Sequence, residues 1–206
     1  MLRLVVNPEH PEPRKVGQAI AGLGRGAVVA YPTDTVYALG CDYEDRRATE
    51  RLYQLKGMTA KQPLAFLLPD LGGISRFAVV TDGAYRLMRR LIPGPYTFVL
   101  EATREVPRNL VIERQKRRTV GVRVPDHPVP QAMLKAFGRP ILSTSAIGED
   151  REGLVHADAV RELFGHGLDV LVDGGSIEGQ VSTVLSLIGD EVEVLRLGKG
   201  PILGIV

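Results

Sequence analysis

Apolar and polar residues alternate with two different periods along this chain, and the two periods predict strands and helices in alternation. Short runs rich in β-branched and other apolar residues are typical of strands. These runs lie at 2–6, 27–31, 63–68, 96–102, 119–124, 140–145, 168–172, 182–187 and 191–197. Between them, apolar residues recur every three or four positions, which predicts helices with one buried face around 16–23, 48–55, 84–91 and 132–137.

Residues typical of helix ends support these helices. Pro13 suits a first helical turn, and Gly24 and Gly138 stand where helices commonly stop. The predicted N-caps are Asp45, Asp82 and Asp126. Strands alternate with helices and then follow one another near the C-terminus, so the pattern predicts one α/β domain over residues 1–206, with a mixed sheet and a site at the strand ends.

Composition narrows the class of protein. The chain has 206 residues, of which 44% are hydrophobic and 24% charged, with a formal net charge of +2, and this composition excludes intrinsic disorder. The single cysteine, Cys41, excludes an internal disulfide and a thiol-based metal centre. Apolar runs fall short of the ~18 residues that cross a bilayer. We therefore expect a cytoplasmic protein with no membrane partner and no metal site of its own.

Two segments in the first third of the chain carry candidate binding residues. Thr33, Asp34 and Thr35 follow a buried-looking strand, so their hydroxyls and carboxylate can bind a polar ligand; the alternative is a proline-initiated turn that bonds its own backbone. Lys56 and Lys61 flank a glycine at a helix end. They are candidates for binding phosphate, although Lys56 alone is also typical of a lysine that compensates the helix dipole.

Further candidates follow in the second half of the chain. Arg123 lies within an apolar strand, and its guanidinium suits a carboxylate or phosphate unless the strand is an edge and the side chain points outward. The hydroxyls at 143–145 can surround an anion or form a serine-rich turn. Ser182 begins another predicted strand. The chain has no GxSxG elbow, P-loop or GxGxxG fingerprint, so a nucleophilic serine and the common nucleotide folds are not supported.

A basic segment at 107–119 separates two apolar runs. Its sequence PRNLVIERQKRRT includes Arg114, Lys116, Arg117 and Arg118. Clustered basic residues suit a phosphate backbone, and the alternative is a solvated loop. Tryptophan is absent and the aromatic content is 5%, so a duplex or a structured tRNA is favoured over stacking on single-stranded bases.

Taken together and in this order, these segments resemble the YrdC/TsaC/YciO family. The matching segments are PTDTVYALGCD, the Lys56–Gly57 turn with Pro63–Leu64, PGPYTFVL, VGVRVPDHP, STSA, DGG with STV, and LRLGKGPI. The opening NPEHPEPRKVGQA and the STSAI segment are more similar to the YciO branch than to the TsaC branch. The resemblance implies a twisted mixed β-sheet, flanked by helices, that encloses a large concave cavity.

The resemblance also implies an activity and a set of site residues. The TsaC branch makes threonylcarbamoyl-AMP from L-threonine, bicarbonate and ATP with Mg²⁺ for the modification of an adenosine in tRNA, and some members bind double-stranded RNA. If the family's roles are carried over residue by residue, Lys56 and Arg123 would be catalytic and would contact the carboxylate, the carbamate or the phosphates. The residues implied in binding the substrate are Thr33, Thr35, Lys61, Ser143 and Ser182. Ser145 and Arg196 would bind the nucleotide.

The chain departs from the synthase signature at several of its positions. Met58, Ala60 and Gln62 stand where the signature has arginine, serine and asparagine. Ile147 replaces a further asparagine, and Leu67 lies near an expected histidine. Two hypotheses follow: a nucleotide- and RNA-binding protein with weakened synthesis, or an active threonylcarbamoyl-AMP synthase. Lys61 is a candidate to supply the charge that Met58 lacks.

Overall fold

The computed structural model describes residues 1–58, 64–148, 152–189 and 191–205. Within these residues twelve strands form one twisted mixed sheet. The strands are β1 Leu2–Val5, β2 Val29–Tyr31, β3 Ala38–Asp42, β4 Ala65–Leu67, β5 Ala78–Val79, β6 Tyr96–Ala102, β7 Ile112–Arg114, β8 Arg117–Arg123, β9 Ile141–Ser145, β10 Val170–Asp173, β11 Thr183–Ser186 and β12 Glu193–Arg196. The helices are α1 Pro13–Leu23, α2 Arg46–Leu55, α3 Asp82–Leu91, α4 Pro128–Phe137 and α5 Ala157–Phe164.

The order of strands across the sheet differs strongly from their order along the chain. It runs β1–β10–β2–β3–β9–β4–β8–β6–β11–β12, with β5 added to β6 and β7 added to β8. The pairs β1–β10, β10–β2, β4–β8 and β6–β11 are parallel, and the other pairs are antiparallel. This topology brings the predicted site segments, which are far apart in sequence, onto neighbouring central strands.

Helices cover the two faces of the sheet unequally. The helices α2, α3 and α5 pack on one face around Phe66, Phe98 and Leu142. On the other face, α1 and α4 pack over Tyr31, Ile141 and their neighbours. Side chains two residues apart on a strand share a face, so Ser143 and Ser145 lie on the same face as Ile141, beyond the area that α1 and α4 cover. The uncovered part of that face is the floor of a cavity.

The sequence pattern predicts most element positions and misses several. Strands β3, β5 and β7 and helix α5 lie outside the predicted elements. The stretch Ala38–Asp42 contains no β-branched residue and includes Gly40, a residue depleted in strands. Glycine is required there, because a Cβ at Gly40 would lie 2.8 Å from both Ile141 Cγ2 and Tyr31 Oη.

The predicted helix caps are correct at three positions and wrong at two. Asp45 caps α2 by accepting a hydrogen bond from Ala48 N, and α1 and α4 end at Gly24 and Gly138. Asp82 is instead the first residue of α3, and the hydroxyl of Thr81 is the cap. For α4 the cap is His127 and not Asp126, because Pro128 occupies the first helical position.

None of the helices in the described part of the chain is long and apolar enough to cross a bilayer.

Candidate functional site

A cavity of about 470 Å³ opens on the partly uncovered face of the sheet. Its floor consists of cross-strand neighbours: Val99 of β6 pairs with Gly121 of β8, Gly121 pairs with Ala65 of β4, and Ala65 pairs with Ser143 of β9. Residues directly opposite each other on paired strands project to the same face. The cavity is therefore built from four central strands together with the loops that leave them.

Seven of the residues predicted for the site line this cavity, namely Thr33, Lys56, Arg123, Ser143, Ser145, Ser182 and Arg196. They come from segments up to 163 residues apart in the sequence, and the sheet topology brings them together. Thr35 lies directly behind the lining, with its side chain fully buried. Lys61 lies outside the described residues. The roles that the resemblance implies for these residues remain predictions, whereas their placement is a feature of the structure.

The side chain of Arg123 is held by the loop that follows β2. Its Nη2 atom donates to Asp34 Oδ1 at 2.7 Å and to Thr35 Oγ1 at 2.8 Å. Only 7% of the Arg123 side chain and 9% of the Asp34 side chain are exposed, so this is a buried ion pair. Arg123 Nε and Asp34 Oδ2 are buried without a partner among the described residues. Arg123 also forms part of the cavity lining, and a guanidinium there suits an anionic ligand. The alternative, an outward-pointing arginine on an edge strand, is wrong, because β8 lies between β4 and β6 and Arg123 is buried.

The loop that carries Asp34 is fixed by its own hydroxyls and by a neighbouring segment. Thr33 Oγ1 donates to Val36 O at 2.7 Å and lies 2.9 Å from Thr35 Oγ1. The segment around Gly179 packs directly against this loop, because a Cβ at Gly179 would overlap the carbonyl oxygen of Thr35. The local turn that the sequence allowed as an alternative is thus present, and it orients the partner of Arg123.

A second cluster, of serine, threonine and arginine, lies across the cavity. Thr97 Oγ1 and Ser182 Oγ are 2.9 Å apart, and the guanidinium of Arg196 donates to Ser182 O at 2.9 Å and to Ser182 Oγ at 3.0 Å. Burial lowers the pKa of Arg196, and the charge of Arg123 lowers it further, which indicates that the two guanidinium groups act on each other across the cavity. An anion between them would relieve this repulsion.

Ser143 is oriented from beneath the cavity floor. Tyr31 Oη donates to Ser143 Oγ at 2.8 Å. Burial raises the pKa of Tyr31, so its phenol stays protonated and remains a donor. The hydroxyl hydrogen of Ser143 is thereby left available for an acceptor in the cavity.

Lys56 lies at the C-terminal end of α2, with Nζ 5.1 Å from the centre of the Phe164 ring. Burial lowers the pKa of Lys56 below its ordinary value of 10.5.

The lowered pKa of Lys56 predicts a pH dependence of anion binding. Because the ammonium group loses its proton below pH 10.5, we expect anion affinity to fall as the pH rises toward 10.5. The Lys56→Arg variant keeps its charge, so the fall should move to higher pH. Titration calorimetry with ATP at several pH values tests this, and identical pH profiles for the two proteins would contradict it.

The predicted RNA-binding residues form a β-hairpin beside the cavity and do not line it. The segment is a hairpin and not a loop, because β7 and β8 pair through a tight turn in which Gln115 and Lys116 both have positive φ. Residues 115–118 are exposed, so the solvated part of the alternative is correct. Arg114 forms an ion pair with Glu193, and Arg117 with Glu101, each at 2.8 Å. Arg118 donates to Val106 O at 3.2 Å, and Lys116 is exposed at the turn.

Three of the departures from the synthase signature lie in the cavity wall. Met58, Leu67 and Ile147 all line the cavity, so apolar groups occupy positions where the resemblance implies charged or polar ones. Ala60 and Gln62 lie outside the described residues. Sequence reasoning had not assigned a role to Thr97, which lines the cavity; the alternation of buried and partly buried residues along β6 was the signal for it.

Within the described part of the chain, the cavity lining contains three cations and no carboxylate. Among the described residues there is no group of three or more His, Cys, Asp or Glu side chains that could hold a metal ion. The lining residues therefore do not supply a Mg²⁺ site of their own, and a Mg²⁺ ion in this cavity would belong to a bound nucleotide and enter as part of that substrate.

The fold and the cavity define an α/β protein of mixed sheet with a cation-lined cavity. Residues 22–198 match the Sua5/YciO/YrdC family, described as "Telomere recombination". The chain is 36% identical over 199 residues to the uncharacterized protein YciO of Escherichia coli strain K12, covering 96% of this chain and 95% of YciO. It is 36% identical over 168 residues to a threonylcarbamoyl-AMP synthase of Halorhodospira halophila, covering 81% and 86% of the two chains.

Solved structures agree with this assignment. The crystal structure of E. coli YciO superposes with a TM-score of 0.92 at 35% identity and covers 98% of each chain. Sua5 of P. abyssi, crystallised with L-threonine, superposes with a TM-score of 0.91 at 31% identity, covering 100% of this chain and 60% of Sua5. The chain belongs to the Sua5/YciO/YrdC family.

Proposed function

We propose that this protein binds ATP or a related nucleotide, with its Mg²⁺, in the cation-lined cavity and that it also binds structured RNA in the cytoplasm. The observation that carries the nucleotide part is the convergence of Lys56, Arg123 and Arg196 on one cavity whose described lining residues include no carboxylate. Asp34 offsets the charge of Arg123 from behind the lining, so the charges of Lys56 and Arg196 remain without such a partner. This excess of positive charge favours an anion, and a triphosphate is such an anion.

L-threonine and bicarbonate are the proposed co-substrates, since related proteins are named as threonylcarbamoyl-AMP synthases or were crystallised with L-threonine. In such a reaction a carbamate oxygen attacks the α-phosphorus and pyrophosphate leaves. Arg123 and Arg196 would offset the charge that develops on the phosphate, and Lys56 would hold the carboxylate or carbamate. The hydroxyls of Ser143, Ser145 and Ser182 would orient the reacting groups, because positioning and charge neutralisation dominate phosphoryl transfer.

We propose that synthesis is weakened in this chain, because Met58 and Ile147 contribute apolar surface to the cavity. A lost arginine that would contact a charged substrate group costs on the order of several kcal/mol, which corresponds to a rate lower by orders of magnitude. The second candidate, an active synthase, is favoured by the seven predicted residues that do line the cavity.

Pyrophosphate release with ATP, bicarbonate and L-threonine tests the proposal when each component is omitted in turn. If calorimetry shows that ATP binds while little or no pyrophosphate is released in a threonine-dependent way, the proposal of weakened synthesis is supported. Rapid release that requires all three components supports the active synthase. If the protein neither binds ATP nor releases pyrophosphate, the nucleotide proposal is wrong.

The proposed RNA surface is the exposed side of the β7–β8 hairpin. We expect the double variant Lys116→Gln, Arg117→Gln to bind duplex RNA more weakly at low salt. The slope of log affinity against log salt should fall by about 1 for each lost phosphate contact. Filter binding at four salt concentrations measures this slope.

The double variant Arg86→Gln, Arg90→Gln is a matched control, because these exposed arginines of α3 lie on another element. An equal loss of affinity in the control, or an unchanged slope in the hairpin variant, would contradict the assignment of RNA binding to the hairpin.

A further inference from the structure

The residues that follow β12 form a short segment, 197–201, which returns to the rim of the cavity. Backbone and side-chain hydrogen bonds to β6 and to the start of β11 hold it. Gly198 N donates to Thr183 Oγ1 at 3.0 Å, and Thr183 Oγ1 donates to Gly200 O at 2.7 Å. Lys199 N donates to Val181 O at 2.9 Å, and Tyr96 Oη donates to Pro201 O at 2.8 Å. We call residues 197–201 the C-terminal brace.

The two glycines of the brace are required by close approach. A Cβ at Gly198 would overlap the carbonyl oxygen of Val181, and a Cβ at Gly200 would overlap the ring of Tyr96. The backbone on both sides of Lys199 is thus pressed against β6 and the start of β11. This packing fixes the position of the Lys199 backbone.

Lys199 connects the brace to the loop that holds Arg123. Its Nζ atom donates to the backbone oxygen of Asp34 at 2.6 Å, across 165 residues of sequence. The carboxylate of the same Asp34 forms the buried ion pair with Arg123. One residue is therefore fixed at its backbone by the brace while its side chain orients an arginine of the cavity. An ammonium group bonded to a carbonyl oxygen makes a charge-assisted hydrogen bond, which is stronger than a neutral one.

We propose that Lys199 is a positioning residue: it fixes the Asp34 backbone and thereby the direction in which the guanidinium of Arg123 faces an anionic ligand. This inference rests on the proposed nucleotide function. Lys199 acts through Asp34 and is not itself part of the cavity lining. Without it, Asp34 would still neutralise Arg123, but the loop would lose the contact that ties its backbone to the brace.

The test compares Lys199→Met with Lys199→Arg and with Lys135→Met, a matched control on the exposed surface of α4. Calorimetry with ATP should show about tenfold weaker binding for Lys199→Met, because the less constrained loop that orients Arg123 must then be ordered when the ligand binds. Lys199→Arg should restore most of the affinity, because arginine can also donate to the carbonyl. Lys135→Met should bind like the unmodified protein.

Amide hydrogen exchange without ligand separates this inference from the proposed function. We expect faster exchange in the segment 33–37 of Lys199→Met and unchanged exchange there in Lys135→Met. If the unmodified protein fails to bind ATP but Lys199→Met still shows faster exchange, the nucleotide proposal is wrong, and the inference that Lys199 fixes the Asp34 loop is supported. Unchanged exchange in Lys199→Met, or ATP affinity equal to that of the unmodified protein, would overturn the inference.

Discussion

Replacement of Arg123 by methionine is expected to abolish measurable ATP binding and to lower the free energy of unfolding by about 3–5 kcal/mol. Both effects have one cause. Arg123 is a cavity cation, and it also neutralises Asp34, whose side chain is only 9% exposed. Removing the guanidinium leaves a buried carboxylate without a counter-charge. Calorimetry measures the loss of binding, and urea denaturation measures the loss of stability.

A second substitution separates the two roles of Arg123. In Arg123→Met, Asp34→Asn the buried charge is gone on both sides, so we expect much of the stability to return while ATP binding stays lost. Arg123→Lys keeps the charge but not the planar pair of donors, and it should bind ATP with intermediate affinity. ATP binding by Arg123→Met at the affinity of the unmodified protein would show that Arg123 does not contact the nucleotide.

Replacement of Met58 by arginine is expected to raise threonine-dependent pyrophosphate release by tenfold or more. Met58 lines the cavity, so an arginine there would place a fourth cation among the three that are present. A gain of tenfold in rate corresponds to about 1.4 kcal/mol of transition-state stabilisation, which a single charge-assisted contact can supply. Steady-state release of pyrophosphate with saturating ATP and bicarbonate measures the gain.

The control for this gain is Gln54→Arg, which adds the same charge on an exposed position of α2 outside the cavity lining. We expect it to leave the rate unchanged. An equal gain in both variants would indicate a general effect of charge. An unmodified protein that already turns over rapidly, with no gain from Met58→Arg, would favour the active synthase and contradict the proposal of weakened synthesis.

Periodicity was sufficient to predict the four helices α1–α4 and most strands, because each has one clear apolar face. It failed where the signal is not local. Strand β3 is buried on both faces, so its side chains show no alternation. The turn between β7 and β8 places Gln115 and Lys116 in left-handed conformations without the Asn or Gly that usually marks such a turn. Tertiary pairing decides both elements.

The residue types of the site could be predicted from the sequence, but the hydrogen bonds and ion pairs that join those residues could not. The sequence indicates Arg123 and the hydroxyls at 143–145 as candidates, and the resemblance to a family gives their order along the chain. Neither reveals that Asp34 neutralises Arg123 or that Lys199 bonds the backbone of Asp34. Such contacts depend on the order of strands across the sheet, where β9 lies between β3 and β4 although many residues separate them in sequence.

The packing of Gly179 against Thr35 bears on the thermodynamics of ligand capture. Because the two segments already touch with no room for a Cβ, the loop beneath Arg123 has little conformational freedom to lose when a ligand enters. A preorganised wall of this kind reduces the entropic penalty of association. We therefore expect this side of the cavity to keep the same backbone trace in the empty and occupied protein.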